Sequence, residues 1–299
     1  MNRLIIKDHI PVLLKEVIAF LKPQDDKIYV DATFGAGGYT SAILKSANCR
    51  VIAIDCDNNA AKYFAALPED YRKRCQLVNK NFLCINEILA DLKISSIDGI
   101  VFDLGLSSMQ IADHSKGFSF HSTDALDMRM SGHGVLTAAY IVNKYTEKQI
   151  ADILFYYGGE KKSRSIARNI VKYRQKQNII TVPQLLEAII PSLKIYKDQI
   201  HFATRTFQAL RIHVNNELET LYKTTEELPS LVKKEGSIIF VTFHSLEDKI
   251  VKEKFKKFCA EKTPLIFSNL TKKVVVPTSI EVKMNPRARS AKLRAIRKM

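Results

Sequence analysis

Val30-Asp31-Ala32-Thr33-Phe34-Gly35-Ala36-Gly37-Gly38-Tyr39-Thr40 carries the end of a buried strand, a glycine-rich turn and the first residues of a helix. Glycine reaches backbone conformations that other residues avoid, and it lets a neighbouring group come close to the main chain. On either side the sequence alternates strand and helix patterns. Residues 27–32, 50–55, 75–78 and 97–102 read as short apolar strands. Residues 12–21 (closed by Pro23), 38–47, 58–66 (stopped by Pro68) and 85–92 read as helices. Four β-α units in this order predict an α/β fold built on a doubly wound, mostly parallel sheet. Its ligands are expected beyond the carboxyl ends of the strands.

Two ligand classes use such a turn. Asp55 stands eighteen residues past Gly37, at the end of the second strand, where a carboxylate accepts hydrogen bonds from ribose hydroxyls. Dinucleotide sites favour G-x-G-x-x-G, but Thr40 occupies the third glycine position here. An acid on the first strand (Asp31) followed by G-x-G-G suits S-adenosylmethionine better. That compound has no pyrophosphate, and its cationic amino and sulfonium groups favour nearby carboxylates. A tight β-α turn without any ligand stays open as the plainer alternative. Phe82 follows the third strand and fits either stacking on an adenine ring or ordinary core packing. Asp103 follows an apolar run at the end of the fourth strand and leads into Leu104-Gly105-Leu106-Ser107-Ser108-Met109-Gln110. A carboxylate there is hard to explain as core, so a functional role is favoured.

The next buried strand, 237–242 (S-I-I-F-V-T), comes far later than a crossover helix requires. Helical patterns at 151–157, 165–176 and 182–190 fill the interval. A long helix with Phe207, Leu210, Val214, Leu218 and Leu221 on one face would return the chain to the sheet. The expected organisation is a first core part at 1–111, an inserted mostly helical domain at 112–212, and a second core part at 213–299 with a basic C-terminal tail.

The 299 residues include 46 Lys and Arg against 31 Asp and Glu, a formal +15 that favours polyanionic partners such as nucleic acid or an anionic membrane. Cys49, Cys56, Cys75, Cys84 and Cys259 are scattered with no C-x-x-C pair, which argues against a zinc site or a disulfide framework. The seven histidines lack metal-ligand spacing, so no metal is expected. No signal peptide is visible and no apolar stretch is long enough to span a bilayer, so a cytoplasmic protein is expected. His244 fits a helix cap better than a catalytic group. Arg164, Arg168 and Lys172 recur at i+4 and form a basic stripe. Residues 283–299 carry seven basic residues and no acid, among them Arg287, Arg289, Lys292 and Arg294. Both patches are candidate phosphate contacts.

With these segments in hand, the chain resembles the bacterial ribosomal RNA small-subunit methyltransferase H family, which methylates the exocyclic amine of one cytosine in 16S rRNA. The matching text includes His9-Ile10-Pro11-Val12-Leu13-Leu14, the glycine turn, Phe102-Asp103-Leu104-Gly105-Leu106-Ser107-Ser108, and Gly117-Phe118-Ser119-Phe120 with Leu126-Asp127-Met128-Arg129-Met130. It continues through Phe202-Ala203-Thr204-Arg205-Thr206-Phe207-Gln208-Ala209-Leu210-Arg211-Ile212, Phe243-His244-Ser245-Leu246-Glu247-Asp248, and Asn285-Pro286-Arg287-Ala288-Arg289-Ser290-Ala291-Lys292-Leu293-Arg294. The resemblance implies a class I methyltransferase (Rossmann-like) sheet with an inserted helical domain. It also implies S-adenosyl-L-methionine held at Gly37, Gly38, Tyr39, Asp55, Phe82, Asp103 and Gln110. Tyr39 replaces the usual histidine and Met109 the usual proline.

An aromatic exocyclic amine is a weak nucleophile that needs in-line approach and an acceptor for its hydrogen bond. The Asp/Asn-Pro-Pro-aromatic motif of many amine methyltransferases is replaced here by Asp103-Leu104-Gly105-Leu106, so Asp103 or a nearby carbonyl is the candidate for orienting the amine. The implied partner is 16S rRNA or the small ribosomal subunit, and no membrane. Oligomeric state stays open, a homodimer included. Methylation of another nucleic acid, a nicotinamide-dependent oxidoreductase and a catalytically silent RNA-binding protein are the alternatives.

Overall fold

The structure is a computed structural model and describes residues 11–192, 203–260 and 266–299. The chain divides into two compact units, Met1–Ser107 with Leu218–Met299, and Ser108–Glu217.

The first unit is built on seven strands: β1 (Ile28–Asp31), β2 (Arg50–Ile54), β3 (Cys75–Val78), β4 (Ile97–Asp103), β5 (Val232–Thr242), β6 (Phe267–Asn269) and β7 (Lys292–Lys298). Their order across the sheet is β3-β2-β1-β4-β5-β7-β6. The first five strands run parallel, and β7 is antiparallel to both β5 and β6. The connection direction reverses between β1 and β4, and a crevice opens at such a switch point beyond the strand ends. Helices cover both faces, so the strands read as almost unbroken apolar runs. Tyr29, Val51, Ala53, Val101, Ile239 and Val241 bury into one core. Their alternates Val30, Ile52, Ile54, Ile100, Phe102, Ile238 and Phe240 bury into the other. Phe102 and Phe240 stack there with ring centroids 4.3 Å apart.

Three elements differ from the sequence expectation. β5 begins at Val232 rather than Ser237, because Lys233, Lys234 and Glu235 are exposed and hide its start. The pairing register with β4 shifts between Ile97 and Gly99, and Glu235 takes a left-handed φ of 66°. A helix at Glu69–Arg74 buries no side chain, so no apolar periodicity announces it. The supposed basic tail is instead the helix Ser279–Met284, a 3₁₀ turn at Pro286–Ser290 and β7 inside the sheet. Leu293, Ala295 and Ile296 of β7 are fully buried.

The second unit is helical. Its principal helices are Ala138–Lys144, Glu147–Gly158, Ser163–Arg174, Val182–Ile189 and Thr204–Asn215. Thr146 with Gln149, and Thr181 with Gln184, form reciprocal capping boxes at two of the helix starts. Gly159 closes Glu147–Gly158 in the left-handed conformation, φ 59°. The single long returning helix is in fact two. Asn216, at φ 49°, ends Thr204–Asn215, and Glu217–Leu231 starts anew. Asparagine tolerates that conformation well. Arg211 holds Glu217 through two hydrogen bonds of 2.8 and 2.9 Å just across the break. Among the described residues no helix is long and apolar enough to cross a membrane.

Candidate functional site at the strand ends

Asp31 ends β1 and is fully buried. Its carboxylate accepts hydrogen bonds from the Thr40 amide (3.1 Å), the Thr40 hydroxyl (2.7 Å) and the Thr33 amide (3.3 Å). Burial pushes its pKa up to about 6, against the pull of those three donors. The acid that the sequence aims at a cationic ligand is therefore committed to fastening the turn. Asp55, one residue beyond β2, shapes the turn from the other side. It accepts from the Gly35 amide at 2.7 Å and from the Asp57 amide at 2.8 Å.

The glycines divide their work. Gly37 has a φ of 79°, and a Cβ there would lie 2.8 Å from the Phe34 ring. A Cβ on Gly38 would lie 2.2 Å from Pro11 Cγ. Both positions are thus fixed by packing beneath the turn. Gly35, at φ 53°, has only Ser107 Cβ at 3.5 Å and the Thr33 carbonyl oxygen at 3.8 Å in its Cβ direction. Tyr39 is buried in the core and its hydroxyl donates to the Val12 carbonyl. Its ring anchors the first helix, which leaves its backbone as the part that faces the turn.

Asp103 ends β4. Its amide donates to Thr33 Oγ1 at 2.6 Å, a bond that ties the carboxyl ends of β1 and β4 together. Its side-chain Oδ1 is shut off from solvent and has no hydrogen-bond partner. Burial, then the charges of Asp31 and Glu247, push this carboxyl well above the usual carboxylate range. A buried acceptor without a donor is costly unless a ligand completes it. The next glycine, Gly105 at φ 90°, turns the chain away directly after it. Phe82 opens the short turn after β3 and packs edge-on against Phe102 at 5.4 Å, partly buried. Both readings of this ring have a foothold, one edge in the core and the remainder accessible. Gln110 lies in the helical unit, buried on the helix Ser108–Ala112.

The structure thus gathers Gly37, Gly38, Tyr39, Asp55, Phe82 and Asp103 at the carboxyl ends of the first four strands. Thr33 and Thr40 belong with them and escape the sequence reading. The Asp-x-Thr spacing on a strand end is a signal for Thr33 alone.

His244 works as a cap. Its Nδ1 accepts the Glu247 amide at 3.3 Å, while the Glu247 carboxylate accepts from the Phe243 and His244 amides at 2.8 and 3.3 Å. This closes the first turn of Ser245–Ala260.

Of the basic candidates, Arg164, Arg168 and Lys172 are exposed on the helix Ser163–Arg174, with Arg168 3.7 Å from Glu147. Arg287 and Arg289 are exposed on the 3₁₀ turn. Lys292 and Arg294 are engaged internally. Arg294 Nε lies 2.7 Å and Lys292 Nζ 3.2 Å from the buried Asp248. Burial raises the Asp248 carboxyl, but hydrogen bonds from Arg294 and Lys292 outweigh it and hold the group below its usual range. Further along β7, Arg297 donates to the Phe20 carbonyl and Lys298 to those of Pro229 and Val232.

Comparison with known proteins supplies a family. Residues 7–299 match the profile of the MraW methylase family. A ribosomal RNA small subunit methyltransferase H from Ehrlichia canis (strain Jake) is 46% identical over 296 residues, covering 97% of this chain and 100% of the relative. One of the same name from Wolbachia sp. subsp. Drosophila simulans (strain wRi) is 47% identical over 291 residues, covering 97% and 99%. The crystal structure of an rRNA methylase from Streptococcus thermophilus superposes with a TM-score of 0.47 at 11% identity, covering 97% of this chain and 99% of that one.

Proposed function

The chain belongs to the MraW methylase family, and on that premise we propose that it transfers a methyl group from S-adenosylmethionine to the exocyclic amine of a cytosine in small-subunit (16S) ribosomal RNA. The alternative of nicotinamide-dependent oxidation falls away with membership of a methylase family. The observation that carries the proposal at the level of the site is Asp103 Oδ1, a buried acceptor waiting for a donor at the switch point of the sheet.

The residues fit the cofactor. Asp103 offers its unpartnered oxygen to a cationic amino group or to the substrate amine, and is the catalytic candidate. Asp55, at the end of β2, holds the ribose hydroxyls. Gly37, Gly38 and Tyr39 contribute backbone, and Phe82 the accessible part of its ring against adenine. When bound, S-adenosylmethionine supplies an electrophilic methyl group on a positively charged sulfur. The protein's own contribution is to hold the amine in line and to accept its hydrogen bond as charge develops. Thr33 keeps Asp103 in position for that task.

Arg164, Arg168 and Lys172, together with Arg287 and Arg289, are the phosphate contacts in this reading. Lys292 and Arg294 leave that set because Asp248 occupies them. A ribosomal substrate implies work in the cytoplasm on the small subunit or its RNA, with the target base free of its stack.

Incubating the purified protein with labelled donor and unmodified small subunits, then mapping the modified nucleotide, tests the proposal. Label in one 16S cytosine is expected. Label confined to protein or to DNA would refute it.

A further inference from the structure

The helix Glu147–Gly158 buries Ile150, Ile153 and Leu154, as an amphipathic helix should. The next two side chains break that pattern. Phe155 is 54% and Tyr156 66% exposed, side by side, with ring centroids 5.3 Å apart and planes 82° to each other. Such an edge-to-face pair leaves ring faces open to solvent. Burying an aromatic ring is favourable, so two adjacent exposed rings are not surplus core.

The rings border a surface depression of about 460 Å³ that Lys161, Lys162 and Arg164 also line. Its one acid, Asp152, is held by Lys148 at 2.7 Å, which cancels its charge locally. Lys161 and Arg164 are exposed and line the same depression as the two rings. Arg168 and Lys172 continue the same basic row along the helix Ser163–Arg174.

Cations flanking stacked-type aromatic faces are how single-stranded nucleic acid is gripped: the backbone meets the charges and a base covers the ring. A peptide partner would need to bring its own acids, whereas a polyanion suits a chain of +15 throughout. We infer that Phe155 and Tyr156, with Lys161 and Arg164, form a docking site for an unpaired nucleotide of the RNA, with a base stacked on an aromatic face and its phosphates on the cations. The inference rests on RNA being the substrate and adds where, and in what form, the helical unit holds it. Stacking reads any base, so this site grips the strand and leaves the choice of target to the rest of the contact.

The test uses the full-length protein and a fluorescently labelled oligouridylate of roughly 12 nucleotides, read by anisotropy across about 50 to 200 mM salt. Phe155→Ala with Tyr156→Ala is expected to weaken binding at least ~10-fold, within the span of one lost base stack, with an unchanged salt slope. Lys161→Ala with Arg164→Ala is expected to flatten the slope of log affinity against log salt by about 1.4, two single-strand phosphate contacts. Tyr156→Phe keeps the ring and should bind as the parent does. All four positions are exposed, so the variants fold. An aromatic double variant that binds the oligonucleotide within about 2-fold of the parent overturns the inference. So does a loss seen only with assembled subunits, which would assign the rings to a protein partner. Binding is read without methyl transfer. A parent protein that methylates no ribosomal RNA sinks the preceding proposal, whereas equal oligonucleotide binding by parent and variant sinks this one.

Discussion

Replacing Asp103 with Asn should make the protein sturdier and less able to hold its cofactor. The substitution keeps shape and removes a charge from a position where Oδ1 is sealed from water without a donor, and where Asp31 and Glu247 add repulsion. An unsatisfied buried polar group costs roughly 1–3 kcal/mol, more when charged. Asparagine leaves one polar atom still unpartnered, so the recovered part is about 1–2 kcal/mol. For a chain of this size that corresponds to about 1.5–3 °C in melting temperature. The sign depends on pH. A carboxyl whose pKa is raised on folding favours the native state while protonated and loses that contribution as pH climbs through its folded value. The advantage of Asp103→Asn should therefore be absent in acid and grow as pH rises. Cofactor binding runs the other way. A charge-assisted hydrogen bond is worth about 1.5–3 kcal/mol, so affinity for S-adenosylhomocysteine should fall about 10- to 150-fold. Calorimetric melting from pH 5 to 8 and titration calorimetry read both effects. An Asn variant that melts below the parent at pH 8, or binds the product cofactor equally well, would refute the reasoning.

Gly38→Ala must fit a methyl group 2.2 Å from Pro11 Cγ, and overpacking of that kind costs about 1–3 kcal/mol. Chemical denaturation should show it as a lower midpoint with an unchanged slope. Thr33→Val removes the acceptor for the Asp103 amide, and Thr33→Ser should restore it. Turnover on small subunits is expected to fall at least about 10-fold in the valine variant and recover in the serine one. Asp31, with its pKa raised to about 6, contributes stability in acid that is lost between about pH 4 and 6. Scaled by 1.36 kcal/mol per unit, the loss is about 3 kcal/mol. Denaturation at several pH values should show the gap between Asp31→Asn and the parent moving in favour of the variant by that amount as pH rises.

Strands were legible where both faces are buried. The apolar runs of β1, β2 and β4 and the glycine turn announce an α/β sheet without help, because burial on two sides leaves few polar residues to blur them. β7 was not legible. Its lysines and arginines look like a solvated tail, yet Arg294, Lys292, Arg297 and Lys298 each reach a fixed acceptor, and only the small set Leu293, Ala295 and Ile296 faces inward. Charge composition cannot distinguish a cation that meets phosphate from one that meets Asp248 or a carbonyl. The break at Asn216 escaped because the apolar spacing continues through it, while the conformation of one residue decides the helix end. At the site, Asp55, Phe82 and Asp103 stood out as chemistry at strand ends. Thr33 and Thr40 did not, since their contribution is a pair of hydroxyls bonding inside the turn.

The order in which the sheet acquires its strands has a cost during synthesis. β4 carries Ile97, Ile100, Val101 and Phe102, all fully buried in the finished protein, and its second neighbour β5 is made only after the whole helical unit. Until then a greasy strand edge stands open, the kind of surface that sticks to other nascent chains. Folding of the helical unit in the meantime shortens the effective loop that β5 must close. A lesion in that unit would thus surface first as aggregation and chaperone dependence, ahead of any loss of catalysis.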